Sequence, residues 1–325
     1  MKVLITGSSG FIGRHLVDGI TECGHSVLGV DVKIPVSRPA GFTFQECDIL
    51  DAEKLKTLFL RFDPTHVIHL AARTDLDEKA DLPIDYAANV GGVDNIVAAV
   101  QSTSSVVRCV YTSTQLVCRP GYVPQNNKDW QPHTKYGESK VLGEQIVYKN
   151  NGGGKSWCIV RPTTVWGPGM NKHYQNFISM VEKGRYFHVG RKLLLKSYGY
   201  VGNLVHQYMK LLEVPEANMQ GKMLYLADYD PISLRRWVDM LSDELGSGSI
   251  VTVPTILARF GAYTGDIVNL LGYKDFPFNS FRLNNVLTEY QVDTSDTERI
   301  CGALPYSMED GVRETVDWYK QLNNY

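Results

Sequence analysis

The chain has 325 residues, 43% apolar and 21% charged, with a formal net charge of −2. That is enough for one large domain or two smaller ones, and the charge balance gives no general reason to expect a nucleic-acid or membrane partner. No run approaches the roughly 18 uninterrupted apolar residues of a membrane span, and the first apolar run is too short for a signal peptide. The six cysteines (23, 47, 109, 118, 158 and 301) form no CxxC pair. Reduced thiols, mostly core, in a cytoplasmic protein without a metal site are therefore expected.

The predicted elements alternate. KVLITG (2–7) reads as a strand, and 10–21 carries Phe11, Ile12, Leu16, Val17 and Ile20 at helical spacing. HSVLGVDV (25–32) is a second strand, 51–62 a helix, THVIHLAA (65–72) a strand and 85–101 a helix. VVRCVYTST (106–114) is a strand, 134–150 a helix and KSWCIVRPTTV (155–165) a strand, with NNGGGK (150–155) as a surface turn. Strand followed by helix, repeated, implies right-handed crossovers and a doubly wound parallel sheet covered on both faces. Past Val165 the rhythm breaks up, with helical patterns at 175–183 and 204–213, and a smaller C-terminal α/β lobe is expected.

TGSSGFIG (6–13) spaces Gly7, Gly10 and Gly13 three apart between the first strand and the first helix. A strand, a glycine turn and a helix form the phosphate-binding corner of a Rossmann-type dinucleotide fold. Glycines there permit the tight turn, the close approach of a pyrophosphate and the packing of helix on strand. The helix start, with Phe11 and Ile12, supplies free N–H groups and the positive end of the helix dipole. Asp31, at the end of the second strand, can accept from both adenosine ribose hydroxyls, which favours NAD; Lys33 nearby keeps NADP open. Tyr136 and Lys140 lie four apart, on one face of a helix. A neighbouring ammonium and a nicotinamide cation would pull the phenol toward neutrality, making Tyr136 a general base.

With Thr6, the GxxGxxG spacing resembles the extended branch of the short-chain dehydrogenase/reductase superfamily, the nucleotide-sugar epimerases and dehydratases, over nearly the whole chain. The resemblance implies a catalytic triad of Thr114, Tyr136 and Lys140, with Thr112 and Ser113 as near misses for the hydroxyl. It implies cofactor contacts from Asp48 and Ile49 at the adenine, from Leu70, Ala71 and Ala72 at the strand end, and from Pro162. Asn89 would organise a proton relay on the helix of Tyr136. RPTTVWGPG (161–169) resembles RPxNVYGPG, with Thr164 and Trp166 replacing asparagine and tyrosine. Asn176, opening a helix, Lys196 in place of an arginine, and Arg282 would join Thr114, Tyr136 and Thr164 at the substrate. The tail PYSMEDGVRETVDWYK (305–320) resembles the closing helix.

The division expected is an NAD-binding domain over 1–166, with a return segment near 195–227, and a mainly substrate-binding lobe over 167–325. Gln115 and Leu116 follow Thr114 where 4,6-dehydratases and decarboxylases carry an acid. The function expected is therefore an NAD-dependent nucleotide-sugar epimerase, acting through a transient keto intermediate. Alternatives are a 4-keto-sugar reductase or dehydrogenase, a dehydratase, and a non-catalytic dinucleotide-binding regulator; a sterol or aldehyde substrate also stays open. Ile96, Val97 and Val100 suggest a helix face for a homodimer, and GYKDFPFNSFRLNN (272–285) suits either a pocket lining or core.

Overall fold

The computed structural model describes residues 1–271 and 278–323; of the aromatic segment 272–285, residues 272–277 lie outside this description. The strands of its main sheet are β1 (Lys2–Thr6), β2 (Ser26–Asp31), β3 (Phe42–Glu46), β4 (His66–His69), β5 (Arg108–Thr112), β6 (Ser156–Pro162) and β7 (Lys222–Leu226). The principal helices are α1 (Phe11–Glu22), α2 (Ala52–Phe62), α3 (Ala87–Ser102), α4 (Lys135–Lys149), α5 (Lys172–Glu182), α6 (Val201–Glu213), α7 (Leu234–Leu245), α8 (Thr255–Leu270), α9 (Ser280–Leu287) and α10 (Met308–Leu322).

The chain divides into two compact units. The first comprises 1–166, 199–229 and 292–305; the second comprises 167–198, 230–291 and 306–325. The sequence pattern had no counterpart to the second return, 292–305.

The first unit is a seven-stranded sheet in the order β7-β6-β5-β4-β1-β2-β3, every pairing parallel. The direction of strand order reverses between β1 and β4, which makes the carboxyl ends of those strands the natural ligand crevice. Alternate residues face opposite ways. Val3, Ile5, Val110 and Val160 pack under α1 and α6, whereas Leu4, Val67, Tyr111 and Ile159 pack under α2, α3 and α4. Burial on both faces is why these strands read as near-continuous apolar runs.

Three expectations are corrected here. Ile96, Val97 and Val100 are buried against the sheet, so they offer no dimer face. The NNGGGK turn is not all surface: Gly152 and Gly153 are buried, and a Cβ on Gly152 would lie 2.1 Å from the Trp157 ring. Finally, β3 and β7 complete the sheet at its two edges, where no individual strand was expected.

In the second unit, α5 opens at Lys172, because the Asn171 side chain accepts from the amides of His173 and Tyr174. Asn176 therefore sits inside the helix, not at its start. The closing helix α10 begins with a capping box between Ser307 and Asp310.

Candidate active site

The glycine corner closes tightly. Gly7 has φ +73°, and a Cβ there would lie 2.7 Å from the Ala71 amide nitrogen; a Cβ on Gly13 would lie 2.1 Å from the Gly7 carbonyl. Only hydrogen fits at these two positions, so the start of α1 is drawn onto the end of β1 and beside the end of β4. Helix α1 starts at Phe11 with Gly10 as its cap and no side-chain cap bond. The amides of its first turn, including those of Phe11 and Ile12, are donors of the kind an anion needs. Leu70 and Ala71 donate their amides to the Thr6 hydroxyl at 3.2 and 3.3 Å, which fixes the small-residue strand end, with Ala72 next, against the corner.

Asp31 ends β2 beside this corner. Its carboxylate accepts from the Ser9 amide at 3.0 Å and from the Lys33 amide at 2.9 Å, one on each oxygen. Each oxygen keeps a further lone pair for a hydroxyl. Asp48 is exposed and accepts from the Leu50 amide, whereas Ile49 is buried against Gly92. Pro162 ends β6, buried and in register with Leu226.

Beyond β5, Thr114 caps a short turn by accepting from the Leu116 amide at 3.2 Å. Helix α4 starts nearby, capped by Thr134, whose hydroxyl accepts from the Gly137 amide at 3.0 Å. A Cβ on Gly137 would lie 2.3 Å from the Leu116 carbonyl, so a glycine is needed for the helix to approach this turn. The approach sets the Tyr136 phenol near the Thr114 side chain, which acts to ease its ionisation. The near misses are engaged otherwise. Thr112 shares a hydrogen bond with the Tyr208 phenol at 2.8 Å, while the Ser113 hydroxyl is buried without a partner. One turn along α4, Lys140 donates from Nζ to the Thr112 carbonyl at 2.8 Å.

Burial shapes the charges. Tyr136 packs with Ala80 and Tyr86, and burial pushes its phenol up to about 12, against a smaller downward effect of the nearby Thr114 side chain. The sequence argument expected a depressed phenol; the chain's own environment acts in the opposite sense. Lys140 is shifted down to about 8, by burial first, with the Glu144 carboxylate opposing. Both groups therefore resist charge, and a neighbouring charge acts on them with little solvent screening.

Asn89, which the resemblance singled out, is joined by several residues that escaped the sequence argument. Asn89, fully buried, accepts from the Arg73 amide at 2.8 Å and donates to the Arg73 carbonyl at 2.9 Å and to the Ser139 hydroxyl at 2.8 Å. Ser139 in turn donates to the Tyr136 carbonyl at 2.7 Å. Asn89 thus ties the chain after β4 to the turn of α4 that carries Tyr136 and Lys140. Behind it, Glu144 accepts from Arg161 Nε at 2.8 Å, from Arg161 Nη2 at 2.7 Å and from Trp130 Nε1 at 2.7 Å, with both charged side chains buried. No short motif announces Ser139 or Glu144. Arg161 lay inside a recognised segment but carried no role.

The residues expected at the substrate divide between the units. Thr164, in the first, accepts from Gln115 Nε2 at 3.4 Å. Asn176, Lys196 and Arg282 belong to the second. Asn176 and Arg282 are exposed, and Lys196 donates from Nζ to the Asn285 carbonyl at 2.5 Å, one turn along α9 from Arg282.

Residues 3–227 match the NAD dependent epimerase/dehydratase family. The chain belongs to this family. The family member is 31% identical over 249 residues to the 3 beta-hydroxysteroid dehydrogenase/Delta 5→4-isomerase of Mycobacterium tuberculosis, covering 72% of this chain and 66% of that one, just under two thirds of the relative. It is 24% identical over 322 residues to the N-acetyl-alpha-D-glucosaminyl-diphospho-ditrans,octacis-undecaprenol 4-epimerase of Escherichia coli, covering 98% and 95% of the two chains. The crystal structure of UDP-glucuronic acid 4-epimerase from Bacillus cereus with NAD superposes with a TM-score of 0.76 at 20% identity, covering 99% of each chain, and shows the shared Rossmann-type fold.

The family's name makes NAD the cofactor whose fit matters at this site. Its residues fit the cofactor: the first turn of α1 has no side-chain cap, which leaves its amides to receive a pyrophosphate, and Asp31 stands beside that turn. No helix among the described residues is long and apolar enough to cross a membrane.

Proposed function

We propose that the enzyme epimerises a sugar carried on a diphosphate, as in a nucleotide sugar, by oxidising one of its secondary hydroxyls and reducing the ketone from the opposite face. Tyr136 is the general base and Thr114 holds the same hydroxyl. Lys140 lowers the cost of the phenolate and reaches the cofactor ribose. NAD, when bound at the glycine corner and Asp31, supplies the hydride acceptor. Tyr136 takes the hydroxyl proton as the C–H bond breaks and the C–O bond becomes a carbonyl. When hydride returns, Tyr136 gives the proton back to the oxygen.

The observation that carries this reading is the grouping of the Tyr136 phenol beside Thr114, with buried Lys140 one turn along the same helix and held by the Thr112 carbonyl. The residues after Thr114 support an epimerase over a dehydratase: Gln115 donates to Thr164, and Leu116 is apolar. The Escherichia coli relative's name describes epimerisation of a sugar on a diphosphate, which supports the substrate class. Thr164, Asn176, Lys196 and Arg282 are proposed at the substrate. The six cysteines, all thiols and five of them buried, support a cytoplasmic location. A homodimer is proposed on the family resemblance, through residues other than the buried face of α3.

A second reading, oxidation of an apolar secondary alcohol, is favoured by one observation. Lys196 already spends a donor on the Asn285 carbonyl and has no fork for a diphosphate. The Mycobacterium relative's name describes a steroid alcohol.

The test is to denature purified protein, identify released nucleotide by mass, and assay nucleotide sugars and a 3β-hydroxysteroid in parallel. Bound NAD with sugar interconversion and no net NADH supports the first reading. NADH accumulating only with the steroid replaces it with the second. Tyr136→Phe should retain NAD binding and lose about 100-fold or more in turnover; unchanged turnover removes Tyr136 as the base.

A further inference from the structure

Helix α8 is inside out. The side turned toward α9 carries Ala258, Ala262 and Gly265, all buried, in a small cluster with Leu283 and, partly buried, Phe278. The outward side carries Ile256, Phe260, Tyr263, Ile267 and Leu270, at successive steps of four, three, four and three residues. These are exposed by 66, 69, 70, 51 and 85%. Leu257 and Leu271 widen the stripe, and Phe281 of α9 is exposed as well. A helix in a water-soluble protein turns its large apolar residues inward. This one does the reverse over its whole length.

Exposed cations flank the stripe. The turn after the short strand His188–Val189 is tied to the start of α8: the Gly190 amide donates to the Val253 carbonyl at 2.8 Å, and Arg235 Nη2 donates to the Gly190 carbonyl at 2.6 Å. That turn presents Arg191, Lys192 and Leu193, all exposed. From Lys183 to Tyr198 the chain has five basic residues and no acidic one. On α8 itself Arg259 is exposed, while its single acid, Asp266, accepts from the Ser280 amide on α9 at 3.2 Å.

Sixteen residues give a helix of about 24 Å, shorter than the roughly 30 Å hydrocarbon core of a bilayer. It cannot span, but it can lie in the interface with Phe260, Ile267 and Leu270 among the acyl chains and the cations among anionic headgroups. We propose that α8 and the 190–193 turn form an in-plane docking site for an anionic lipid bilayer. The composition excluded a span and showed no net basic charge; neither bears on this local arrangement. The proposal does not depend on which substrate the enzyme takes.

The test is co-sedimentation of the full chain with vesicles of phosphatidylcholine, with and without phosphatidylglycerol. Binding should require phosphatidylglycerol and weaken at high salt. Phe260→Ser/Ile267→Ser should reduce partitioning by about tenfold or more, and Arg191→Gln/Lys192→Gln should weaken it and flatten the salt dependence. All four side chains are exposed, so urea midpoints and basal turnover should match the parent. No binding to phosphatidylglycerol vesicles overturns the proposal. So does a lipid-free dimer at sedimentation equilibrium that Phe260→Ser/Ile267→Ser converts to monomer, since a second copy would then be the occupant.

Discussion

The Glu144–Arg161 pair offers a sharp test of how α4 is held. Both side chains are buried, at 2 and 0% exposure. The carboxylate receives three N–H donors, two from Arg161 and one from Trp130. In Glu144→Gln one oxygen becomes an NH2 group that must face at least one of those donors. The guanidinium also loses its counter-charge while remaining buried. Breaking a buried pair from one side costs about 3–5 kcal/mol. With an m-value of about 3 kcal/mol/M, the urea midpoint should fall by about 1–1.7 M. Trp130 provides a fluorescence signal for the transition. The double variant Glu144→Leu/Arg161→Met leaves no charge behind and should recover most of the loss. It should fall short by about 1–3 kcal/mol, for the Trp130 N–H left unpaired, since the Asn127 carbonyl sits on an exposed residue that water can reach. A single variant within about 1 kcal/mol of the parent, or a double variant no better than the single, would refute the argument that an uncompensated buried charge dominates.

Other expectations follow from the same physics. Burial, with Lys140 adding, lowers His69 to about 3, so the folded chain binds fewer protons than the unfolded chain below pH 6.5. Its contribution is complete above pH 6.5 and is lost as pH falls toward 3, at about 1.4 kcal/mol per pH unit. Urea midpoints should therefore drop between pH 6.5 and 5 by an amount worth about 2 kcal/mol, and His69→Gln should abolish that part of the slope. In Gly13→Ala the new methyl group meets the Gly7 carbonyl. NAD affinity measured by calorimetry should weaken roughly 10–100-fold, for a strain of about 1–3 kcal/mol. Gly91→Ala, whose Cβ would make an ordinary contact with Leu50, serves as the unaffected control. Asp31→Asn should shift the ratio of NAD to NADP affinities toward NADP by about tenfold, about 1.4 kcal/mol; an unchanged ratio would remove Asp31 from the ribose.

The central sheet was legible because parallel strands buried on both faces leave unbroken apolar runs such as Val3-Leu4-Ile5 and Cys158-Ile159-Val160. β3 was not, because at the edge of the sheet FTFQE is only partly buried and carries polar residues. Tyr136, Lys140 and Thr114 were legible from spacing and resemblance. Ser139 and Glu144 were not, since a serine or a glutamate in a helix announces nothing until its partner, Asn89 or Arg161, arrives from a distant part of the chain. The expected pull on Tyr136 considered charges alone; burial, a property of the fold, outweighs them in the chain by itself. Periodicity also cannot say which side of a helix faces inward, and α8 turns its small residues in and its large ones out.

The buried glycines after α4 bear on where this chain can be cut or extended. NNGGGK has the composition usually chosen for new termini or an inserted domain. Yet the Gly152 carbonyl accepts from the Tyr111 phenol at 3.1 Å, and a Cβ on Gly153 would lie 3.0 Å from both a Val100 methyl and the Val97 carbonyl. Opening the chain there would separate β6 from the underside of α3. The turn at Cys23–Gly24 between α1 and β2 is exposed, with nothing within 4 Å of a Cβ on Gly24. An engineered fusion or a circular permutant belongs at that turn.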